Sequence, residues 1–266
     1  MNHLLRSHAP VTDAGWALID EEARERVAVG LAARRLVDVS DPRGWEASAT
    51  NLGRTTAVSS SPAEGITARL RRVLAMVEVR ADFTISREEL RDAERGAADV
   101  ELGALDAASR RIALAENVAV FHGWAEAGLV GTAEASPHDP VPLGDKFEAY
   151  PRQVARAVQV LKGEGISGPY GMALGPEGYT GVVETTEHGG YPLFDHLHKI
   201  LGGPLVWAPG VKGAVVVSLR GGDLLMELGQ DLSVGYDHHD AEDVHLYFEE
   251  SFTFRAASPE AAIALP

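Results

Sequence analysis

The stretch that most constrains this chain is Ala214 to Phe254, AVVVSLRGGDLLMELGQDLSVGYDHHDAEDVHLYFEESFTF. It reads as three apolar-rich strands joined by two turns. Arg220-Gly221-Gly222-Asp223 is a tight-hairpin signal, because a Gly-Gly pair tolerates the positive φ angles such a turn needs. Asp237 to Asp243 reads as a wider acidic turn. In the last strand Val244, Leu246 and Phe248 alternate with His245, Tyr247 and Glu249, so one face is apolar and the other partly polar. The stretch holds no obvious nucleophile, general base or metal cage. A sheet built to hold a shape raises the question of whether the chain is an enzyme at all.

At 266 residues the chain accommodates one large domain or two small ones. Its net charge of −15 argues against nucleic acid as a partner, since phosphate binding needs a basic footprint. The clusters Arg34-Arg35, Arg69-Arg71-Arg72 and Arg110-Arg111 read as solvated faces or subunit contacts. With no cysteine, disulfides, zinc-thiolate sites and cysteine nucleophiles are excluded. The opening MNHLLRSHAP does not read as a signal peptide, and no apolar run is long enough for a membrane span. A cytoplasmic protein with no membrane partner is expected.

Thr12 or Asp13 caps a first helix whose Trp16, Ile19, Ala23, Val27 and Leu31 recur every three or four residues. Leu36 to Val39 reads as a short strand. Residues 48–58 and 66–80 read as the arms of a long hairpin with a polar tip, and a hairpin too long to cover itself needs a neighbouring surface. Val77, Val79, Ala81, Phe83 and Ile85 alternate with polar residues. Ser86 and Glu89 form a capping box for a short helix ended by Gly96. A longer helix is expected over 102–127, with an alanine-rich stripe suited to close packing. Further helices are expected over 151–162, 176–185 and 193–201, with strands near 170–174 and 205–208.

Three candidates for chemistry stand out. Gly163, Gly165 and Gly168 match G-x-G-x-x-G, but they follow a helix and precede a strand, the reverse of the dinucleotide-binding context. His238-His239 among Asp237, Asp240, Glu242 and Asp243 offers zinc or iron donors, and with them an alternative reading as a metal-dependent hydrolase. Adjacent residues chelate together poorly, so the expected metal set is none. Glu88, Glu89, Asp92 and Glu94 lie beside Arg87, Arg91 and Arg95, which favours surface ion pairing over acid–base catalysis. No H-E-x-x-H, G-x-S-x-G or P-loop is present. No catalytic residue is expected.

Several blocks together resemble the encapsulins, shell proteins of bacterial nanocompartments, some formerly named linocin-type bacteriocins. They are LLRSHAPVTDAGWALIDEEA near the start, Ala33-Arg34-Arg35-Leu36-Val37-Asp38-Val39, FTISREELRDAERG at 83–96 and GISGPYGMAL at 165–174. HGGYPL at 188–193, RGGDLLMELGQDLSVGY at 220–236 and LYFEESFTF at 246–254 complete the set. The blocks occur in family order and span nearly the whole chain. The resemblance implies an α+β fold of the Hong Kong 97 phage coat-protein type. It implies an N-terminal helix and arm over 1–47, an extended loop over 48–72, and a peripheral domain over 73–130 completed by 223–266. The axial domain would be 131–222, joined to the peripheral domain where Gly221-Gly222 crosses over. Members this short are similar to those forming the sixty-subunit icosahedral shell.

Two surfaces follow from the resemblance. A five-fold pore loop would be Glu184, Thr185, Thr186, Glu187, His188, Gly189, Gly190 and Tyr191, bringing acidic and titratable groups to a ring, with the glycines allowing movement. A docking site for the cargo's C-terminal targeting peptide would be Leu31, Arg34, Asp38, Leu232, Val234 and Phe252, with Arg34 and Asp38 fixing the peptide's polar groups. The cargo classes implied are dye-decolorizing peroxidase first and ferritin-like iron oxidase next. Some encapsulins stack a flavin on a tryptophan in the helix matching 86–95. This chain has Glu88 there, although Tyr191 is retained, so no flavin or other cofactor is expected.

Overall fold

The computed structural model describes residues 3–187 and 189–266. The chain runs α1 (Asp13–Gly30), β1 (Asp38–Val39), β2 (Ala49–Ala57), β3 (Arg69–Ala75), β4 (Val77–Ser86), α2 (Arg87–Glu94) and α3 (Gly103–Phe121). It continues through α4 (Thr132–Ala135), α5 (Tyr150–Gly163), β5 (Tyr170–Leu174), α6 (Pro176–Glu184), α7 (Leu193–Leu201) and β6 (Leu205–Trp207). It ends with β7 (Ala214–Ser218), β8 (Leu224–Leu228), β9 (Ser233–His239), β10 (Asp243–Ala256) and β11 (Ala262–Leu265).

Strand β10 is the spine of the first sheet. Along one edge it pairs antiparallel with β4, from Asp243 opposite Ser86 to Phe252 opposite Val77. Its other edge is shared: β9 takes Val244 to Glu249, and β8 takes Phe252 to Ala256. Strand β1 adds to β8 in parallel. With side chains alternating across the pleat, Val244, Leu246, Phe248, Phe252 and Phe254 all reach one core, joined there by Val79, Ala81, Phe83 and Ile85 of β4. Helices α1 and α3 close this core with Ile19, Ala23, Leu105, Ala108 and Ile112. Glu250 lies on the same side of β10 and is therefore a carboxyl at a core position.

The second sheet has the order β11-β7-β5-β6, with β5 and β6 parallel and the other pairs antiparallel. Val154 and Leu161 of α5, Val182 of α6, and Leu193 and Leu197 of α7 cover it in a separate core. These helices and strands follow the expected pattern, and α7 has the expected bounds. The β2–β3 hairpin forms a third, two-stranded sheet outside both cores.

The opening stretch departs from expectation. It contains four strands, and Gly221-Gly222 is no hairpin, although both glycines have positive φ (86° and 82°). Both edges of β7 are already taken, by β5 and β11, so β8 has no edge to pair with and the chain crosses into the other sheet. The acidic turn is also tighter than expected, because Asp240 Oδ1 accepts from the Glu242 and Asp243 amides. The second hairpin arm ends at Ala75, not at residue 80. There the Met76 amide donates to Ser48 O, and Val77 onward joins β10 because its alternating face has a core to enter.

Two helix ends differ as well. Ser86 Oγ accepts from the Glu88 amide, but Glu89 does not return the capping bond; its carboxylate accepts from the Glu101 amide instead. Helix α3 stops at Phe121, after which Trp124 and Leu129 bridge across a turn. Within α3, Asn117 is fully buried and pins three segments. Its Oδ1 accepts from the Ala33 amide, and its Nδ2 donates to Gly30 O and Pro209 O. This fixes where α1 ends. Replacing Asn117 with Ala strands these backbone groups, so unfolding free energy is expected to fall by about 2–4 kcal/mol, read as a lower denaturation midpoint.

Candidate functional site

Between α1 and the start of β9 lies an open cleft of about 410 Å³. Ala23, Val27, Val234 and Phe248 are its buried apolar floor, and half-buried Leu31 and Leu232 also line it. The helical spacing of Ala23, Val27 and Leu31 sets one wall. The other comes from Val234 of β9 and its cross-strand partner Phe248 of β10. At one end Arg6 packs on the Trp16 ring at 4.0 Å and pairs with Asp20 at 2.7 Å, holding the N-terminal segment against α1.

At the other end stands Arg34. Its Nε donates to Glu116 Oε2 on α3, Nη1 to Asp231 Oδ1, and Nη2 to Glu250 Oε2 on β10, each at 2.7 Å. Glu116 and Glu250 are fully buried, whereas the Asp231 side chain is 46% exposed at the cleft. Burial opposes the charge on Arg34, but Glu116 and Glu250 beside it, with hydrogen bonds to Asp231 and Glu116, hold its pKa above the ordinary guanidinium value. Burial also raises Glu116, against the pull of Arg34. Burial, and then neighbouring Glu116, push Glu250 well above the carboxylate range. The two carboxyls share one guanidinium, and burial beside Glu116 favours the neutral form of Glu250.

Of the six expected docking residues, the cleft brings together Leu31, Arg34, Leu232 and Val234. Asp38 and Phe252 stand elsewhere. Asp38 Oδ2 accepts from the Gly222 amide at 2.6 Å and so fastens the crossover between the sheets. Phe252 is 0% exposed, inside the core at a point where β10 leaves β9 for β8. Arg34 is at the cleft, but three of its five N–H groups are committed to carboxylates of this chain, so it is first an internal tie. Ala23, Val27 and Phe248 were not anticipated as lining residues. Their core-like spacing was visible, but nothing in the sequence marks which part of an apolar stripe stays uncovered.

The expected pore loop leaves α6 at exposed Glu184 and forms a tight turn. Thr186 bridges Pro192, and the Glu187 amide donates to Tyr191 O at 2.8 Å. Gly189 and Gly190 have φ of 97° and 78°. Glu187 Oε2 meets His196 Nδ1 at 2.8 Å, and Lys199 Nζ stands 4.8 Å from the Tyr191 ring, so α7 holds the turn from below. His188 lies outside the described residues.

The histidine–carboxylate group is otherwise engaged. His238 stacks on His245 with centroids 4.1 Å apart and bonds Asp237, while His239 bonds Tyr236. Among the described residues, no three His, Asp or Glu side chains form a group able to hold a metal ion. On α2, Glu88 pairs with Arg91 and Arg95, and Glu94 accepts from Thr12, as surface ion pairing and capping. That position offers a paired carboxylate and no aromatic plane, which does not fit a stacked flavin. No described helix is long and apolar enough to cross a membrane.

The Glu116–Glu250 pair gives stability a definite pH dependence. A carboxyl raised on folding stabilises the native state fully below the unfolded value of about 4.3, and that contribution is lost as pH rises through the folded value. Glu250→Gln removes the titration and keeps the hydrogen bonding. Its Tm is expected to exceed that of the unsubstituted protein at pH 8–9, with the gap closing toward pH 5, in a thermal-melt series.

The family model described as an encapsulating protein for peroxidase matches residues 1–253. A type 1 encapsulin shell protein of Rhodospirillum rubrum is 45% identical, covering 100% of this chain and 96% of that protein. Those of Brevibacterium linens and Mycobacterium tuberculosis are 41% and 38% identical, each covering 100% of this chain and 99% of the relative. The virus-like particle of Pyrococcus furiosus superposes with a TM-score of 0.67 at 16% identity, over 93% of this chain and 98% of that one. The capsid of Myoviridae phage XM1 does so at 0.55 and 11%, over 89% and 91%. The fold is therefore the Hong Kong 97 coat-protein fold expected above, and with matches of this identity over its full length the chain belongs to the encapsulin shell-protein family.

Proposed function

We propose that this chain is a shell subunit that closes with copies of itself into a sixty-subunit icosahedral nanocompartment in the cytoplasm and encloses a cargo enzyme. As a shell protein it is not itself an enzyme. The cargo is a dye-decolorizing peroxidase, a choice supported by the description of the matching family model, with a ferritin-like iron oxidase the next candidate. The observation that carries cargo capture is the open cleft of Leu31, Leu232, Val234 and Phe248. It has an apolar floor bordered by charged residues, Arg6, Asp20, Arg24 and Asp231 among them. The cargo's C-terminal targeting peptide lays apolar side chains along it, and Arg34 keeps the wall rigid from behind. Burial of side chains in a preformed groove suits such recognition, because little of the receptor must be ordered on binding.

Small molecules pass through the five-fold pore at the turn of residues 184–191. Glu184 and Glu187, repeated round a ring, concentrate a negative field there. Such a pore favours cations and slows anions.

Negative-stain microscopy of the purified protein tests the shell: hollow, uniform particles are expected, and only monomers or dimers would overturn the reading. Leu232→Asp tests capture. Leu232 is half-buried at the cleft, so the shell is expected to form normally. Losing one buried leucine contact of about 1.5–3 kcal/mol should cut co-purifying cargo by about tenfold or more, measured by mass spectrometry of the particles.

A further inference from the structure

The segment ahead of α1 is fastened at both ends and strained between them. One end is fixed by Arg6, held on the Trp16 ring and by Asp20. In the middle the Tyr236 amide of β9 donates to Leu4 O at 2.9 Å, and buried Leu4 lines the docking cleft. Leu5 then takes a φ of 51°, the only positive φ among the described non-glycine residues. A leucine keeps that conformation only where the structure on either side holds it there.

The other end is His3. Its ring stacks on the Trp45 indole, with centroids 4.1 Å apart and planes 10° apart. Its Nε2 stands 3.2 Å from Glu249 Oε1 on β10, a side chain only 6% exposed. Neither atom makes an aligned hydrogen bond to any described residue. Charge is what joins them, and it is there only while the imidazole carries a proton. Imidazole is the side chain that gains or loses its charge between about pH 5 and pH 8. An aromatic face also favours the charged ring over the neutral one.

The surrounding groups do not take the place of that charge. Glu249 shares its face of the sheet with Tyr247 and Ser251 of β10 and with Glu78, Arg80 and Asp82 of β4. Arg80 is committed to Asp82 and to Asp237 of β9, lying over the Tyr247 ring. In the loop that carries Trp45, Arg43 turns to Thr50 and Glu227, and Glu46 is exposed. Burial, and then Glu78, raise the Glu249 carboxyl against the pull of His3 and Arg80. A raised carboxyl stabilises the folded arrangement fully below its unfolded value and loses that contribution as pH rises through the folded value. The imidazole loses its charge in the same direction, so both groups loosen the segment as pH rises.

We propose that residues 3–6 form a strap, that a protonated His3 fastens it to Glu249, and that the fastened strap supplies Leu4 to the wall of the cleft. His3 is thus a positioning residue for cargo capture, acting through Leu4. Capture is strongest on the acid side of neutrality and weakens as the imidazole loses its proton. This rests on the docking reading and adds its pH dependence.

The test uses assembled particles of the full chain, unsubstituted and with His3→Gln or His3→Lys. Hydrogen–deuterium exchange reads the Tyr236 amide at about pH 6 and about pH 9, on either side of the imidazole range, with labelling times scaled for intrinsic exchange. In the unsubstituted protein its protection should fall about tenfold from the lower pH to the higher. His3→Gln has no cation at either pH, so it should start about tenfold less protected and change by less than about twofold. Lysine stays charged to about pH 10, so His3→Lys should hold its protection at the higher pH to within about threefold, a rescue that a merely structural ring would not show. Co-purifying cargo per particle, by mass spectrometry, should fall about threefold or more in His3→Gln and recover in His3→Lys. Equal protection at both pH values in the unsubstituted protein, or the same pH response in His3→Gln, would overturn the strap. Protection that falls in His3→Gln while cargo per particle does not would overturn its bearing on the cleft. Unsubstituted particles that carry no cargo would overturn the docking reading, while the exchange result still decides for or against the fastening.

Discussion

One guanidinium joins four parts of this chain. Arg34 follows α1 directly and reaches Glu116 on α3, Asp231 ahead of β9 and Glu250 on β10. Stripping water from such groups costs several kcal/mol per ion, and only a full set of charge-assisted hydrogen bonds offsets it. Here each nitrogen of the arginine makes one such bond, and burial, which favours the neutral form of Glu250, relieves the surplus negative charge. Net stability from such a cluster is small. Its effect is on geometry, because no neighbouring arrangement satisfies the same groups. Asn117 works alongside it, tying the end of α1 to the loop before β7. The cleft between α1 and β9 is therefore held open by polar groups behind its apolar wall.

The subunit is complete in its cores and incomplete at its edges. Both sheets bury their apolar faces within the chain, and the long strand β10 has partners along both edges. The cleft and the arginine-bearing hairpin, by contrast, have no counterpart among the described residues. A protein whose described titratable clusters are tied up in hydrogen bonds is suited to building a shell. Its net charge of −15 adds a constraint, since copies of like charge repel.

Much of the fold was legible in the residues. The Trp16–Ile19–Ala23–Val27 stripe, the alternation from Val77 to Ile85, and the helix over 193–201 each follow from period and burial, and each is present. Strand partners were not legible. Gly221-Gly222 has the local conformation of a hairpin, yet the availability of edges on β7 decides that it is a crossover. The cleft was only partly readable: Leu31, Leu232 and Val234 came through a resemblance to relatives, not through their own pattern. Phe252 and Phe248 sit four residues apart on the same face of β10, and only the pairing with β9 separates a core residue from a cleft residue. Glu116 and Asn117 looked like unremarkable polar positions in an alanine-rich helix, because their partners lie more than eighty residues away.

The sequence by itself determined the elements, the apolar faces, the absence of thiol chemistry and, through its ordered blocks, the family. These depend on local spacing and composition, which a linear reading preserves. Tertiary structure alone decided which strands pair, which carboxyls share a cation, and where an apolar stripe is left uncovered. Each of those is settled by competition among distant groups for the same edge, the same cation or the same cover, and a sequence does not record who wins. The hairpin shows both sides: its arginines are plain in the sequence, but their division between two faces of a ribbon exists only once the register is set.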